Sequence, residues 1–150
     1  MAEPRYFAID LQLHYTHPLG ALRPYFDALA SGRAIASRCP TCQRVWFPPR
    51  LSCAQDYTDT VWTELSGAGH IVSVTSGESR LPLADATEHH TFALVALDGA
   101  DNVAFGRVAS GETTVARGQR VRLAKAPEKA PHPAQAAYFV ADDPTKENEA

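Results

Sequence analysis

The sequence has few cysteines, no long apolar run and no excess of positive charge, and each absence excludes a class of protein. The 150 residues contain three cysteines, whereas small secreted domains held by disulfides normally carry an even number. No segment reaches the roughly 20 consecutive apolar residues that cross a bilayer, and the amino terminus lacks the features of a signal peptide. We therefore expect a cytoplasmic protein with reduced thiols.

The charge balance narrows the remaining classes. Lys and Arg number 14 and Asp and Glu number 17, which gives a net charge of −3. Binding along a phosphate backbone depends on basic side chains that release counterions, so nucleic-acid binding is disfavoured. The content of 45% hydrophobic residues is typical of a folded protein. Two or three small units within the chain would each need a metal or a partner for stability.

The first 30 residues predict one strand and one helix. Residues 1–18 are expected to form an arm or strand, because apolar side chains fill every second position. These are Phe7, Ile9, Leu11, Leu13 and Tyr15. The strand can pair within this chain's own sheet or add to the edge of another subunit. Residues 21–30 have the apolar spacing of a short amphipathic helix that Gly32 ends, and this helix must dock on the next subdomain or on a partner.

The cysteines have the spacing of a zinc ribbon. Cys39 and Cys42 enclose two residues, and Cys53 follows with Asp56 in the position of a fourth thiolate. A gap of two residues lets both side chains of a pair reach one ion, and two such pairs complete a tetrahedron. We therefore predict zinc bound by these four residues. Because an Asp oxygen is a harder ligand and lies further from Cβ than a Cys sulfur, we expect weaker binding and a shifted second pair.

Two other interpretations of the cysteines remain open. In the first, the ribbon is metal-free and the thiols are small buried side chains. In the second, Cys39 and Cys42 form a redox pair. Such a pair favours a helix start that lowers a thiol pKa, whereas residues 45–49 are predicted to continue as strand and turn, so the redox interpretation is weak.

Residues 33–50 contain four arginines and no acidic residue, a local charge of +4. This segment is either a solvated basic face or a contact for an anionic ligand or partner, because Arg suits phosphate and carboxylate geometry. Arg44 and Arg50 are candidate contacts with CoA or a partner, and Phe47 is a third. The alternative for Phe47 and the two prolines after it is a rigid turn that packs the helix against the ribbon.

The second half of the chain predicts a small β-barrel. Five apolar runs alternate with turn signals; they cover residues 69–75, 91–98, 103–108, 119–125 and 134–140. Asp98-Gly99 and Ser110-Gly111 mark tight turns. Residues 81–90 form a longer polar loop and a candidate working surface, and residues 142–150 predict a flexible acidic tail.

Recognisable catalytic machinery is missing from the sequence. It has neither a glycine-rich phosphate loop nor a nucleophile elbow, and its six histidines include no helix-spaced metal pair. His89 and His90 beside Glu88 could supply a general base, but a loop histidine is more often solvated than catalytic. We predict no catalytic residue and no enzymatic activity in this chain alone.

Taken in order, these motifs resemble a family of acyl-CoA-associated proteins, of the type called domain of unknown function 35. The resemblance spans most of the chain. It rests on residues 25–29 with Gly32, the motif Arg38-Cys39-Pro40-Thr41-Cys42, residues 47–50, Cys53, residues 62–69 and the five later strand runs. It implies a mainly β fold, with an N-terminal strand and short helix, a rubredoxin-like zinc ribbon and a five-stranded OB-fold barrel. The implied boundaries are 1–18, 19–66, 67–141 and 142–150.

The resemblance also implies a function. Family members are accessory subunits that bind, stabilise or bridge a thiolase-like or ketosynthase-like enzyme and help to form the path for CoA-linked acyl substrates. Some members accompany aldolases that cleave CoA-thioester side chains. The family's ribbon ligands fall on Cys39, Cys42 and Cys53, and the fourth falls on Asp56.

Two functions of other classes compete with this one. Zinc ribbons and OB-folds also occur in nucleic-acid-binding modules, for which Trp46, Phe47 and Trp62 would be the stacking residues. A stand-alone zinc enzyme would need an open coordination position, whereas ribbon sites are usually closed.

Overall fold

A computed structural model of the chain describes residues 5–6, 8–9, 15–81, 86–109, 115–127 and 136–142. It confirms a mainly β architecture with one short helix. The helix α1 spans Arg23–Leu29 after a 3₁₀ turn at Gly20–Leu22, and the strands are β1 Ala34–Arg38, β2 Val45–Trp46, β3 Val61–Leu65, β4 Ala68–Ser79, β5 Glu88–Leu97, β6 Val103–Val108, β7 Arg120–Ala124 and β8 Tyr138–Ala141. Most of the predicted N-terminal strand, the Ser110-Gly111 turn and most of the acidic tail lie outside the described residues, and residues 5–6, 8–9 and 15–18 belong to no helix or strand.

The helix forms where its apolar spacing predicted it and packs against the rest of the fold. Pro24 occupies the first turn, and the buried side chains include Tyr25 and Leu29. Gly32 follows with a φ of 75°, and a Cβ on it would lie 2.5 Å from the Lys125 backbone nitrogen. Glycine is therefore required twice here, for the left-handed backbone and for the close approach of the helix end to β7. The helix is seven residues long, and no helix in the described part of the chain could span a membrane.

Three strands form the ribbon sheet, in the order β2-β1-β3 with antiparallel pairs. Ala34 and Ala36 face the protein core, and Ser37, on the other face, pairs with Trp46 on one side and with Trp62 on the other. The small alanines let the helix and the barrel approach this sheet closely.

The remaining strands close a barrel in the order β4-β5-β6-β8-β7, with β7 paired back to β4. All of these pairs are antiparallel except β6 with β8. This is the five-stranded OB-fold. β4 and β5 extend further than their apolar runs, to Ser79 and from Glu88, so the polar loop predicted over residues 81–90 is wrong at its carboxyl end, where residues 88–90 belong to β5.

The ribbon and the barrel share one hydrophobic core and are joined by the turn between β5 and β6. The core joins Leu29 of the helix and Val45 of the ribbon to Phe139 of the barrel. In the turn, the Asp101 carboxylate accepts a hydrogen bond from the Val45 backbone N–H at 2.7 Å. The Asn102 side chain accepts one from the Phe47 N–H at 2.9 Å and donates one to the Phe47 carbonyl at 3.0 Å. The turn thus pairs with the end of β2 as a further strand would.

We expect Asn102→Ala to lower the free energy of unfolding by about 2 kcal/mol, because both backbone groups of Phe47 lose a partner in a partly buried place. Urea unfolding followed by circular dichroism measures the effect. Val103→Ala, one residue further on at an exposed position, is the matched control and should change stability by less than about 0.5 kcal/mol. Equal losses in the two variants would contradict a specific role for Asn102.

Candidate metal centre

Two loops with the same backbone carry the four predicted ligands. In each loop, the N–H of the residue after the second ligand donates to the carbonyl of the first ligand, at 3.0 Å from Gln43 to Cys39 and at 3.1 Å from Tyr57 to Cys53. Gln43 and Tyr57 both adopt a left-handed backbone, with φ of 62° and 54°. Asp56 therefore occupies a loop with the same backbone hydrogen bond and the same left-handed residue as the Cys42 loop, and the predicted shift of the second pair stays a prediction.

The structure brings the four side chains together beneath Trp46. The ligand atoms of Cys39, Cys42, Cys53 and Asp56 all lie within 4.8 Å of one another, and they form the group of potential metal ligands found in the described residues. Cys39 and Cys53 are fully buried and pack with Trp46, while Cys42 and Asp56 are partly exposed. One side of the cluster is thus enclosed by the ribbon and the other faces solvent.

The separations fit one tetrahedral ion. Four ligands about 2.3 Å from zinc would place sulfur atoms about 3.8 Å apart, and oxygen slightly closer to sulfur than that. The Cys42 and Cys53 sulfurs are 3.8 Å apart. The Asp56 Oδ2 atom lies 3.3 Å from the Cys39 sulfur and 3.4 Å from the Cys53 sulfur. Although an aspartate side chain is longer than a cysteine side chain, the four ligand atoms therefore lie around one point.

Backbone N–H groups point at two of the sulfurs. Cys53 Sγ lies 3.4 Å from the N–H nitrogen of Gln55 and 3.3 Å from that of Asp56, and Cys39 Sγ lies 3.5 Å from that of Cys42. Hydrogen bonds donated to a sulfur stabilise the thiolate over the thiol. Because only the thiolate is a metal ligand, both loops are arranged for the deprotonated form.

The carboxylate and the thiols of the cluster shift one another's pKa values. Burial raises the pKa of Cys39, but hydrogen bonds from Thr58 and from backbone N–H groups outweigh it and lower the pKa to about 7. The Asp56 carboxylate raises the pKa of Cys42 to about 12 by accepting its hydrogen bond, and the same bond holds the pKa of Asp56 below its ordinary value. A bound cation would release the remaining protons, so metal affinity should rise with pH.

The redox interpretation gains nothing from the structure. Cys39, Cys42 and Cys53 are free thiols. The first loop leads into the short strand β2, so no helix start lowers the pKa of a thiol in the way that a redox pair requires.

The basic segment is only partly available for contacts. Arg33 forms a two-pronged pair with Glu64 at 2.9 and 2.8 Å, which neutralises one of the four charges. Arg44 and Arg50 are exposed, and the Arg50 guanidinium lies 5.9 Å from the centre of the Trp46 ring. These two arginines remain at the surface of the ribbon, where a contact is sterically open.

Phe47 is not available for the predicted contact with CoA or a partner. Its side chain is 1% exposed, and its ring meets that of Tyr25 edge-on with centres 5.7 Å apart. It therefore has no surface to offer a ligand or partner and instead packs the helix against the ribbon, as the alternative interpretation had it. Trp46 is buried as well, so of the three proposed stacking residues only Trp62, 43% exposed, could meet a nucleobase.

An exposed aromatic pair on the barrel escaped the sequence analysis. Phe92 on β5 and Phe105 on β6 stack with ring centres 5.4 Å apart and planes within 14°, and Phe105 is 61% exposed. The signal was present in the alternation of β5, because the buried positions after His90 are residues 91, 93, 95 and 97. Phe92 therefore falls on the outer face, where a polar residue is the ordinary choice.

Comparison with known proteins shows what the segment that contains the two cysteine loops resembles. Residues 26–60 match the family model described as ChsH2, rubredoxin-like zinc ribbon domain. This segment is similar to a rubredoxin-like zinc ribbon. The zinc expectation is thereby confirmed for this segment, which contains Cys39, Cys42, Cys53 and Asp56 as its potential metal ligands.

Two solved structures share the fold of the ribbon and barrel together. One is a protein of unknown function of the DUF35 family from Sulfolobus solfataricus, 16% identical, with a TM-score of 0.59 over 83% of this chain and 87% of that one. The other is a chain of the Ltp2-ChsH2(DUF35) aldolase, 18% identical, with a TM-score of 0.60 over 83% of this chain and 98% of that one. At these identities the likeness establishes the fold. No curated protein matches the sequence.

Proposed function

We propose that the chain is a non-catalytic accessory subunit that binds and stabilises or bridges an enzyme acting on acyl-CoA or related acyl substrates. The observation that carries this proposal is the shared fold with almost the whole length of one chain of the Ltp2-ChsH2(DUF35) aldolase. The ribbon match over residues 26–60 supports it independently. The reduced thiols fit a cytoplasmic protein.

The partner we propose is a thiolase-like or ketosynthase-like enzyme, and the second candidate is a CoA-thioester aldolase. The solved structure of similar fold favours the aldolase, because that complex is described as an aldolase. Both candidates place the chemistry in the partner, and both predict the same behaviour of this chain alone. They differ in the reaction that the assembled complex accelerates.

The zinc site has a structural role in this proposal. Cys39, Cys42, Cys53 and Asp56 would hold the ion, and a closed set of four protein ligands leaves no position for an activated water. The bound ion would link the loop at residues 39–43 to the loop at residues 53–57. A ribbon of this size buries too little apolar surface to be rigid without such a link.

The proposed contact surface for CoA phosphates or an acidic partner is the exposed arginine pair Arg44 and Arg50. The charges lie on a chain that is acidic overall, so they concentrate positive potential at the ribbon. The domain boundaries proposed with this function are an N-terminal arm at 1–18, helix and ribbon at 19–66, barrel at 67–141 and an acidic tail at 142–150.

The test is reconstitution with the enzyme that co-purifies with the tagged chain. We expect no turnover of acyl-CoA by the chain alone, and higher activity or stability of a thiolase-like or aldolase partner in its presence. Arg44→Glu with Arg50→Glu should weaken the complex about tenfold or more. Arg80→Glu with Arg117→Glu, an equal change of charge at two exposed positions outside the ribbon, should not. The absence of any acyl-CoA enzyme from the purified complex would refute the proposal.

A further inference from the structure

The outer face of the barrel carries three aromatic rings in a row. The imidazole of His90 and the ring of Phe92 have centres 5.9 Å apart on β5, and Phe92 in turn stacks almost parallel on Phe105 of β6 at 5.4 Å. A flat ring of a ligand could therefore stack on Phe92, whose ring already packs against that of Phe105. In OB-folds the face of the second and third strands, here β5 and β6, is the usual ligand face.

Three depressions lie along this row, each shares a lining residue with the next, and together they are called the groove. The middle one, of about 200 Å³, is lined by Ser76, Ser79, His90 and Phe92. It shares Phe92 with an apolar depression of about 70 Å³ that reaches Phe105. It shares His90 with a more polar one of about 190 Å³, which Arg107 and Tyr138 line among others. The groove thus runs from a polar end that Arg107 and Glu88 line, past His90, to an apolar end.

Two polar side chains meet in the middle of the groove, Ser79 and His90. Ser79 Oγ is buried and has no hydrogen-bond partner within the described residues. His90 is 9% exposed and lines the same depression beside Phe92. A buried polar group without a partner costs free energy. A ligand with a polar edge would contact both side chains while its flat face covers Phe92.

We propose that this groove binds a mononucleotide, with the base against Phe92, its polar edge toward His90 and Ser79, and its phosphate toward Arg107. A nucleobase combines a flat π-face with a hydrogen-bonding edge, which is the pair of features that the groove offers. The Arg107 guanidinium lies 5.6 Å from the Tyr138 ring centre, at the end where a phosphate would lie. Glu88 lines the same end, and the chain is acidic overall, so one phosphate group is favoured over a long polyanionic strand.

The test is a titration of the whole zinc-loaded chain with adenosine monophosphate, followed by the imidazole NMR signals of His90 and by calorimetry. We expect a saturable shift of the His90 signals. Phe92→Leu keeps an apolar side chain but removes the ring and should weaken binding about tenfold. Trp62→Leu, which removes an exposed ring from the ribbon, should leave the affinity unchanged. Equal unfolding midpoints of the two variants would show that the difference is not one of folding.

Further ligands identify the source of the nucleotide. Coenzyme A carries an adenine nucleotide, and tighter binding of it than of adenosine monophosphate would support the groove as a site for that part of the molecule. Inorganic phosphate that shifts His90 as strongly as the nucleotide would overturn the proposal, since no base would be recognised. Preferential, salt-dependent binding of a short oligoadenylate would overturn it in favour of a nucleic acid, and no shift with any of these ligands would also refute it.

Discussion

Replacing Asp56 with alanine should lower the zinc affinity of the ribbon by at least about 100-fold, because it removes one of four ligands, and loss of even a supporting group commonly costs 10 to about 100-fold. The other three side chains stay in place, since the second loop is held by its own backbone bonds. Competition with a chelating indicator measures the affinity. Co²⁺ provides a second readout, because its absorption reports the ligand set and the buried Trp46 ring beside Cys39 and Cys53 would report occupancy through fluorescence.

Two variants make the Asp56 result specific. Asp59→Ala removes a nearby exposed carboxylate outside the cluster and should leave the affinity unchanged. Asp56→Cys should bind zinc more tightly than the parent chain, because a fourth thiolate is a softer ligand and the loop already has the geometry of the Cys42 loop. Parent-like affinity in Asp56→Ala would remove Asp56 from the ligand set. A parent chain that binds no zinc would favour the metal-free ribbon.

Gly69→Ala should destabilise the protein by about 3 kcal/mol or more, which is at the upper end for overpacking a closed core. A Cβ at this position of β4 would lie 2.4 Å from the Ala96 carbonyl oxygen and 2.9 Å from the Leu97 Cα atom of β5. Both obstacles are backbone atoms of the paired strand, so no side-chain rotation relieves the contact. The measurement is the midpoint and slope of urea unfolding.

The matched control is Gly77→Ala on the same strand. A Cβ there would meet no atom within 4 Å, and alanine loses less conformational freedom than glycine on folding. We expect a change below about 0.5 kcal/mol. If both variants lost the same stability, strand propensity rather than the close approach of β4 to β5 would explain the Gly69 result.

Local patterns made several elements predictable. The helix was predictable because Tyr25 and Leu29 are apolar residues at helical spacing and Gly32 ends the pattern. The barrel strands were predictable from apolar runs separated by turns. The ribbon was predictable from two pairs of residues at metal-ligand spacing. In each case the decisive interactions join residues close in sequence, or one metal ion imposes them on a fixed spacing.

Other features could not be read in this way. Phe47 looked available for a partner, yet it is buried because the helix docks over it and Asn102, more than fifty residues later, binds its backbone. His90 was assigned to a loop, yet it lies in a strand because β4 and β5 continue pairing beyond their apolar runs. Both outcomes depend on which distant segment comes to lie alongside.

By itself, the sequence determined the elements, the zinc-ribbon loops and a chain of low net charge, because backbone periodicity and ligand spacing act over a few residues. Only the tertiary structure decided which side chains of those elements are exposed at the surface. It closed the barrel through the parallel pair of β6 with β8, joined the ribbon to the β5–β6 turn and aligned His90, Phe92 and Phe105 in one groove. These arrangements come from contacts between segments far apart in the chain, for which no local pattern carries a signal.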